Sequence, residues 1–118
     1  ALTGVKLADD AALDSFNVLP ALLGESKSGR PNFIGHTGGV DTPKFVRVGD
    51  WVFVPGGKGG YGGRAGEAAK GLDMTKGALF NLATDLAQQK NLITENPAKA
   101  EELKAFLATA REKGRTRP

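Results

Sequence analysis

Two runs of β-branched and aromatic residues, 44–48 and 51–54, meet at the pair Gly49-Asp50, the pattern of a β-hairpin. Glycine at the first central position of a two-residue loop suits a type II′ turn, whose twist matches the flanking strands. That turn sets the register: Val48 faces Trp51, Arg47 faces Val52, Val46 faces Phe53 and Phe45 faces Val54. Side chains alternate across a strand, so Val46, Val48, Trp51 and Phe53 share one apolar face. Another element must cover it.

Further strands are predicted at Asn32–Thr37, ended by Gly38-Gly39, and at Ala78–Leu82. The period then changes. Leu103, Phe106, Leu107 and Ala110 fall at i, i+3, i+4 and i+7, the stripe of an amphipathic helix. Asn96 is placed to cap that helix and Pro97 takes its first position, with Glu101 and Glu102 near the start. Arg111 and Lys113 suit its last turn, and Gly114 stops it. A shorter helix is expected through Phe16, Val18, Leu19, Leu22 and Leu23, capped by Asp14 or Ser15 and closed by Gly24. Pro20 limits it to a turn or two. Thr84 and Asp85 are placed to cap one turn after the last strand.

These elements predict an α+β fold: a small antiparallel sheet of about four strands with a C-terminal amphipathic helix packed on one face. The 118 residues fit one domain. Its parts are an opening segment with the short helix (1–30), a strand and hairpin (31–54), a Gly-rich loop (55–77), a strand and turn (78–95), the helix (96–113) and a tail (114–118). Burying one large apolar side chain contributes roughly 1.5–3 kcal/mol, so the helix stripe on the hairpin face supplies most of the expected core.

Composition adds exclusions. The 40% hydrophobic and 25% charged residues are ordinary for a globular protein, and a net charge of +3 does not by itself call for nucleic acid or a membrane. There is no cysteine, which removes disulfides, thiolate metal sites and cysteine catalysis. The chain opens at Ala1-Leu2-Thr3-Gly4 without an initiator Met, which reads as sequence from inside a longer protein.

Chemistry-bearing motifs are sparse. Seven of the twelve residues in 55–66 are glycine, interleaved with Lys58, Tyr61 and Arg64. Gly57-Lys58-Gly59-Gly60-Tyr61-Gly62 matches G-x-G-x-x-G in form, but that fingerprint works only between a strand and a helix of a parallel sheet. The same loop is similar to RNA-binding Gly/Arg segments, which usually repeat and carry more charge. His36 is the only histidine, and a lone histidine at a strand end is more often structural than catalytic. Arg47 is a candidate anion contact, although pairing with a carboxylate is the commoner role of a strand arginine. The basic stretch from Arg111 to Arg117 reads as a helix end and solvated tail. Nothing assembles a nucleophile, a base and an oxyanion site.

Taken in series, five segments resemble the C-terminal region of arylsulfatase-type sulfatases. Asp14-Ser15 through Leu19-Pro20-Ala21-Leu22-Leu23-Gly24 resembles D-S/G…L-P-x-L-x-G, and Arg47-Val48-Gly49-Asp50-Trp51 resembles R-x-G-D-W. Gly59-Gly60-Tyr61-Gly62-Gly63 is similar to G-S-G-G-W, and Leu79-Phe80-Asn81-Leu82-Ala83-Thr84-Asp85 to L-Y-N-L-x-x-D. Asn91-Leu92, Asn96-Pro97 and Gly114-Arg115 to Pro118 fit the ending N-L…x-P…G-R-x-x-P. The series spans nearly the whole chain. It departs from the pattern at Val52, usually Lys, at Leu86, usually Pro, and at Gln88, usually Glu.

The resemblance implies a scaffold. In sulfatases a formylglycine made from C/S-x-P-x-R and a calcium site of Asp and Asn residues lie in a large N-terminal domain, and neither motif nor ligand set occurs here; Ser26 and Ser28 lack the Pro and Arg spacing. No cofactor is therefore expected in this chain. Its implied partners are that catalytic domain in cis and, through the whole protein, a sulfate ester. No nucleic acid or membrane partner is expected, and self-association is expected through an exposed apolar docking face. By its position His36 is implied as a contact of the substrate pocket, with Arg47 the second candidate. The isolated chain is expected to be inactive, and the resemblance suggests an exported bacterial protein, periplasmic or extracellular. The rival reading is a free-standing binding module for RNA or a polyanion, using the Gly-rich loop and basic tail.

Overall fold

The computed structural model describes residues 2–6, 8–36, 43–56 and 74–116, without the side chains of Pro43 and Lys44. Thr37, Gly38, Gly39, the Gly-rich stretch with Lys58, Tyr61 and Arg64, and Arg117 and Pro118 lie outside the described residues. The strands are β1 (Asn32–His36), β2 (Pro43–Val48), β3 (Trp51–Val54) and β4 (Ala78–Asn81). The helices are α1 (Leu19–Leu22) and α2 (Pro97–Lys113). The sheet is antiparallel with order β1-β2-β3-β4, the architecture expected from the pattern.

The hairpin forms in the expected register, with Val46 opposite Phe53, Arg47 opposite Val52 and Val48 opposite Trp51. Phe45 and Val54 lie beyond that ladder; their partners are Gly35 on β1 and Ala78 on β4. Of the two turn residues only Gly49 takes a positive φ, 57°, as a type II′ turn requires. Arg47 Nε donates to the Gly49 carbonyl at 2.8 Å, which braces the turn from one side.

α2 packs on β2 and β3. Leu103, Leu107 and Ala100 meet Val46, Phe53 and Leu79 in a buried cluster, with Val48, Trp51 and Phe106 half-buried around it. Ala100 extends the predicted stripe by one turn. The opposite face is apolar as well: Val52, Val54, Ala78 and Phe80 are buried, with Phe45, Met74 and Leu82 packed against them. Val52 sits in this second layer, so the departure from Lys at that position suits a buried site.

The helix ends differ from expectation in three places. Asn96 holds the N-cap position, but its side chain makes no capping bond. Glu101 and Glu102 lie past the first turn and pair with Lys104 and Lys99 at 3.2 and 2.7 Å, the i,i+3 contact of an exposed helix face. Neither Asp14 nor Ser15 caps α1; Asn17 Oδ1 accepts the Leu19 N–H at 3.1 Å instead. That shift follows from Pro20, which admits helix only from the residue before it. The predicted closures hold, with Gly24 and Gly114 at φ 77° and 63°.

The outer edge of β4 is closed by a strap at residues 91–93. Asn91 Oδ1 accepts the Leu79 and Ile93 N–H groups at 3.0 and 3.1 Å, and its Nδ2 donates to the Gly77 carbonyl at 3.2 Å. Leu92 N–H donates to the Leu79 carbonyl at 2.8 Å. One amide side chain thus stands in for a neighbouring strand and blocks pairing with another chain. Asp85 orders the turn leading to the strap: its Oδ2 accepts the Lys90 N–H at 2.8 Å. Backbone N–H groups of Lys90, Gln89 and Gln88 hold the Asp85 carboxyl below its ordinary range.

Candidate functional site

The two predicted contact residues lie on different faces of the sheet. Arg47 faces Phe33 and Val52, away from α2. Its surface depression is shaped by Lys27, Arg30, Asn32 and Asp50, and its Nε is engaged within its own turn. His36 ends β1, just past a register shift at Gly35, and is exposed beside the C-terminal end of α2. The depression beside His36 does not include Arg47, and the one beside Arg47 does not include His36.

His36 borders an open groove of about 480 Å³ between β1, the end of α2 and the opening segment. Arg30, Arg111 and Arg115 line it with His36, and Asp14 is the one acid among the described lining residues. Arg30 is held in place: its guanidinium carbon lies 5.2 Å from the Phe16 ring centre and 5.6 Å from that of Phe33, and its Nη2 donates to the Asp14 carbonyl at 3.3 Å. Cation–π attraction to the two rings and this hydrogen bond together hold the guanidinium at the groove.

The opening segment meets residues 115 and 116 at this groove. Thr116 donates through both its N–H and its Oγ1 to Asp14 Oδ1, each at 2.9 Å, and Arg115 Nη1 donates to the Asp9 carbonyl at 3.2 Å. The tail residues 115 and 116 are therefore docked, not solvated as the charge run suggests. Sequence spacing missed this because Asp14 and Thr116 are separated by 102 positions. Arg30 carried no local signal either; it stands in a polar connection, and only the fold brings it to His36.

A second cleft, about 580 Å³, runs between α2 and the ends of β3 and β4, with Phe53, Ala100 and Leu107 at its base and Lys76, Glu101 and Lys104 at its margin. Among the described residues, no three His, Asp or Glu side chains come together as a cation site, and no helix is long and apolar enough to cross a membrane.

No known family profile matches the chain, and no curated protein matches it. Among solved structures it is similar to a sulfatase from Bacteroides thetaiotaomicron, described with the metabolism of multiple glycosaminoglycans and labelled 6S-sulf. The identity is 19% and the TM-score 0.65. The match covers 94% of this chain and 22% of the sulfatase, so the chain spans about a fifth of that structure's length. At this identity the likeness is one of fold. The chain has a sulfatase-related fold.

Proposed function

We propose that the chain is the C-terminal structural subdomain of an arylsulfatase-like sulfuric ester hydrolase. It packs on an N-terminal catalytic domain, its loops line the substrate pocket, and it does no chemistry alone. One observation carries this reading: nearly the whole chain superposes on about a fifth of a sulfatase. The formylglycine and calcium of such an enzyme then belong to the larger part, and His36 is the substrate contact contributed from this side, whereas Arg47 lies on the opposite face of the sheet. Several apolar side chains of the opening segment suit a docking role, since Leu2, Leu22 and Leu23 are 85%, 77% and 61% exposed.

The reading is tested on the isolated chain with a chromogenic aryl sulfate, with and without calcium. No turnover is expected under either condition. Turnover that copurifies with the chain sinks the proposal. The rival module for RNA or a polyanion draws support from the tail alone, through Arg111 and Arg115 in the groove, because its Gly-rich loop lies outside the described residues.

A further inference from the structure

The two edges of the sheet are finished differently. At β4 the outer N–H and carbonyl of Leu79 are taken up by the strap at Asn91 and Leu92. At β1 the direction of the backbone groups follows from one hydrogen bond. Gly49 N–H donates to the Pro31 carbonyl at 3.1 Å, and in an antiparallel pair the bonded positions recur at every second residue. Phe33 and Gly35, opposite Arg47 and Phe45, therefore bond to β2. Asn32 and Ile34 direct their N–H and carbonyl groups away from the sheet, and among the described residues these outward groups have no hydrogen-bond partner. β1 reads Asn-Phe-Ile-Gly-His, without the lysine or proline that commonly guards an edge. Its register shift follows Gly35 and leaves Ile34 in the regular part.

We propose that β1 takes an additional strand, an extended peptide of alternating acidic and apolar residues seated in the groove beside His36. The groove runs along this edge. Phe33 and Ile34, successive residues that face opposite sides of the sheet, both line it, and no described residue of β2 does. Its far side is Asp14, tied to Thr116 at 2.9 Å, so the space takes one strand and not a sheet. A second copy of the chain would bring β2 behind its own β1; a free peptide brings nothing behind it.

Alternation sets the side-chain pattern of that peptide. The residue paired with Ile34 points to the same side, where Ile34 packs on the α2 cluster and Ala110 lines the groove, so an apolar side chain suits it. Its neighbours point to the side of Phe33. Arg30 stands there, 5.6 Å from the Phe33 ring centre, with one of its five N–H donors on the Asp14 carbonyl. An acidic side chain at these flanking positions meets the guanidinium. Main-chain hydrogen bonds to Asn32 and Ile34 then supply affinity, and the alternate side chains supply specificity. The strand site stands whether or not the chain is part of a sulfatase.

The test measures amide hydrogen exchange and chemical shifts of the 118-residue chain titrated with the peptide acetyl-Glu-Val-Glu-Val-Glu-amide. A second peptide carries N-methyl groups on both valines, which removes the N–H groups that face β1 and keeps every side chain. With the first peptide, exchange at the Ile34 amide is expected to slow on the order of tenfold at about ten times its Kd. The N-methylated peptide is expected not to bind, and replacing the glutamates by lysines or Arg30→Gln weakens binding severalfold. Ile34→Pro removes the outward donor while the β2 bonds of Phe33 and Gly35 remain, and it is expected to lose the peptide; should that variant fail to fold, the N-methylated peptide decides. Equal binding of the plain and N-methylated peptides, binding without protection of Ile34, or preference for the lysine peptide overturns the proposal. So does protection of Ile34 that grows with the concentration of the chain alone, which assigns the edge to a second copy.

Discussion

Gly77→Ala is expected to destabilise the fold by roughly 3 kcal/mol or more, through two costs that act together. Gly77 sits at φ 92°, where an L side chain is strained. A Cβ there also lies 2.5 Å from the Val54 carbonyl oxygen and 2.9 Å from the Gly56 nitrogen. Both are backbone atoms, and Val54 is paired with Ala78 at the head of β4, so relief requires the β3–β4 ladder to move. Gly24→Ala separates the two costs. Gly24 has a similar φ of 77° with nothing within 4 Å of its Cβ position, so that variant carries the backbone strain alone, about 1–2 kcal/mol. Urea midpoints of the two variants measure the difference. Equal losses would mean that the contact with Val54 costs nothing.

Asn91→Ala is expected to be the second severe change, at roughly 2–4 kcal/mol, because it leaves buried backbone groups without partners. Leu79 is fully buried, and its N–H has the Asn91 side chain as acceptor. The same substitution removes the donor to the Gly77 carbonyl and the acceptor for Ile93 N–H. Loss of the strap also exposes the β4 edge, so the variant is expected to self-associate as well as melt earlier. Asn96→Ala is the matched control. An asparagine cap normally contributes about 1 kcal/mol through its side-chain bond, but Asn96 makes none, and its replacement is expected to be nearly silent. Thermal melts at two protein concentrations read both effects. An unchanged Asn91→Ala melt would show that Leu92 alone holds the edge.

Local chemistry decided which parts of this fold were readable in advance. The hairpin register follows from a two-residue turn and a side-chain period of two, and the α2 stripe follows from its spacing; both stand as expected. Capping was harder to read, because Asn17, Asp14, Ser15 and Asn96 are all good caps by type, and only backbone direction decides which one reaches an N–H. Asn91 was visible only as part of a resemblance. Its work is done on Leu79, twelve positions away, and no spacing rule encodes a side chain imitating a strand. The groove was least legible of all. Arg30, His36, Arg111 and Arg115 belong to separate segments, and the fold alone makes them neighbours.

The central claim is that this chain works as one part of a larger sulfatase-like protein, and the mass of the native polypeptide tests it most directly. An antibody raised against the 118 residues is used to probe an extract of the source cells. The account predicts a band several times heavier than 12.3 kDa, in proportion to a subdomain covering about a fifth of its relative. A sole band at 12.3 kDa would contradict it and leave the free-standing binding module as the leading reading.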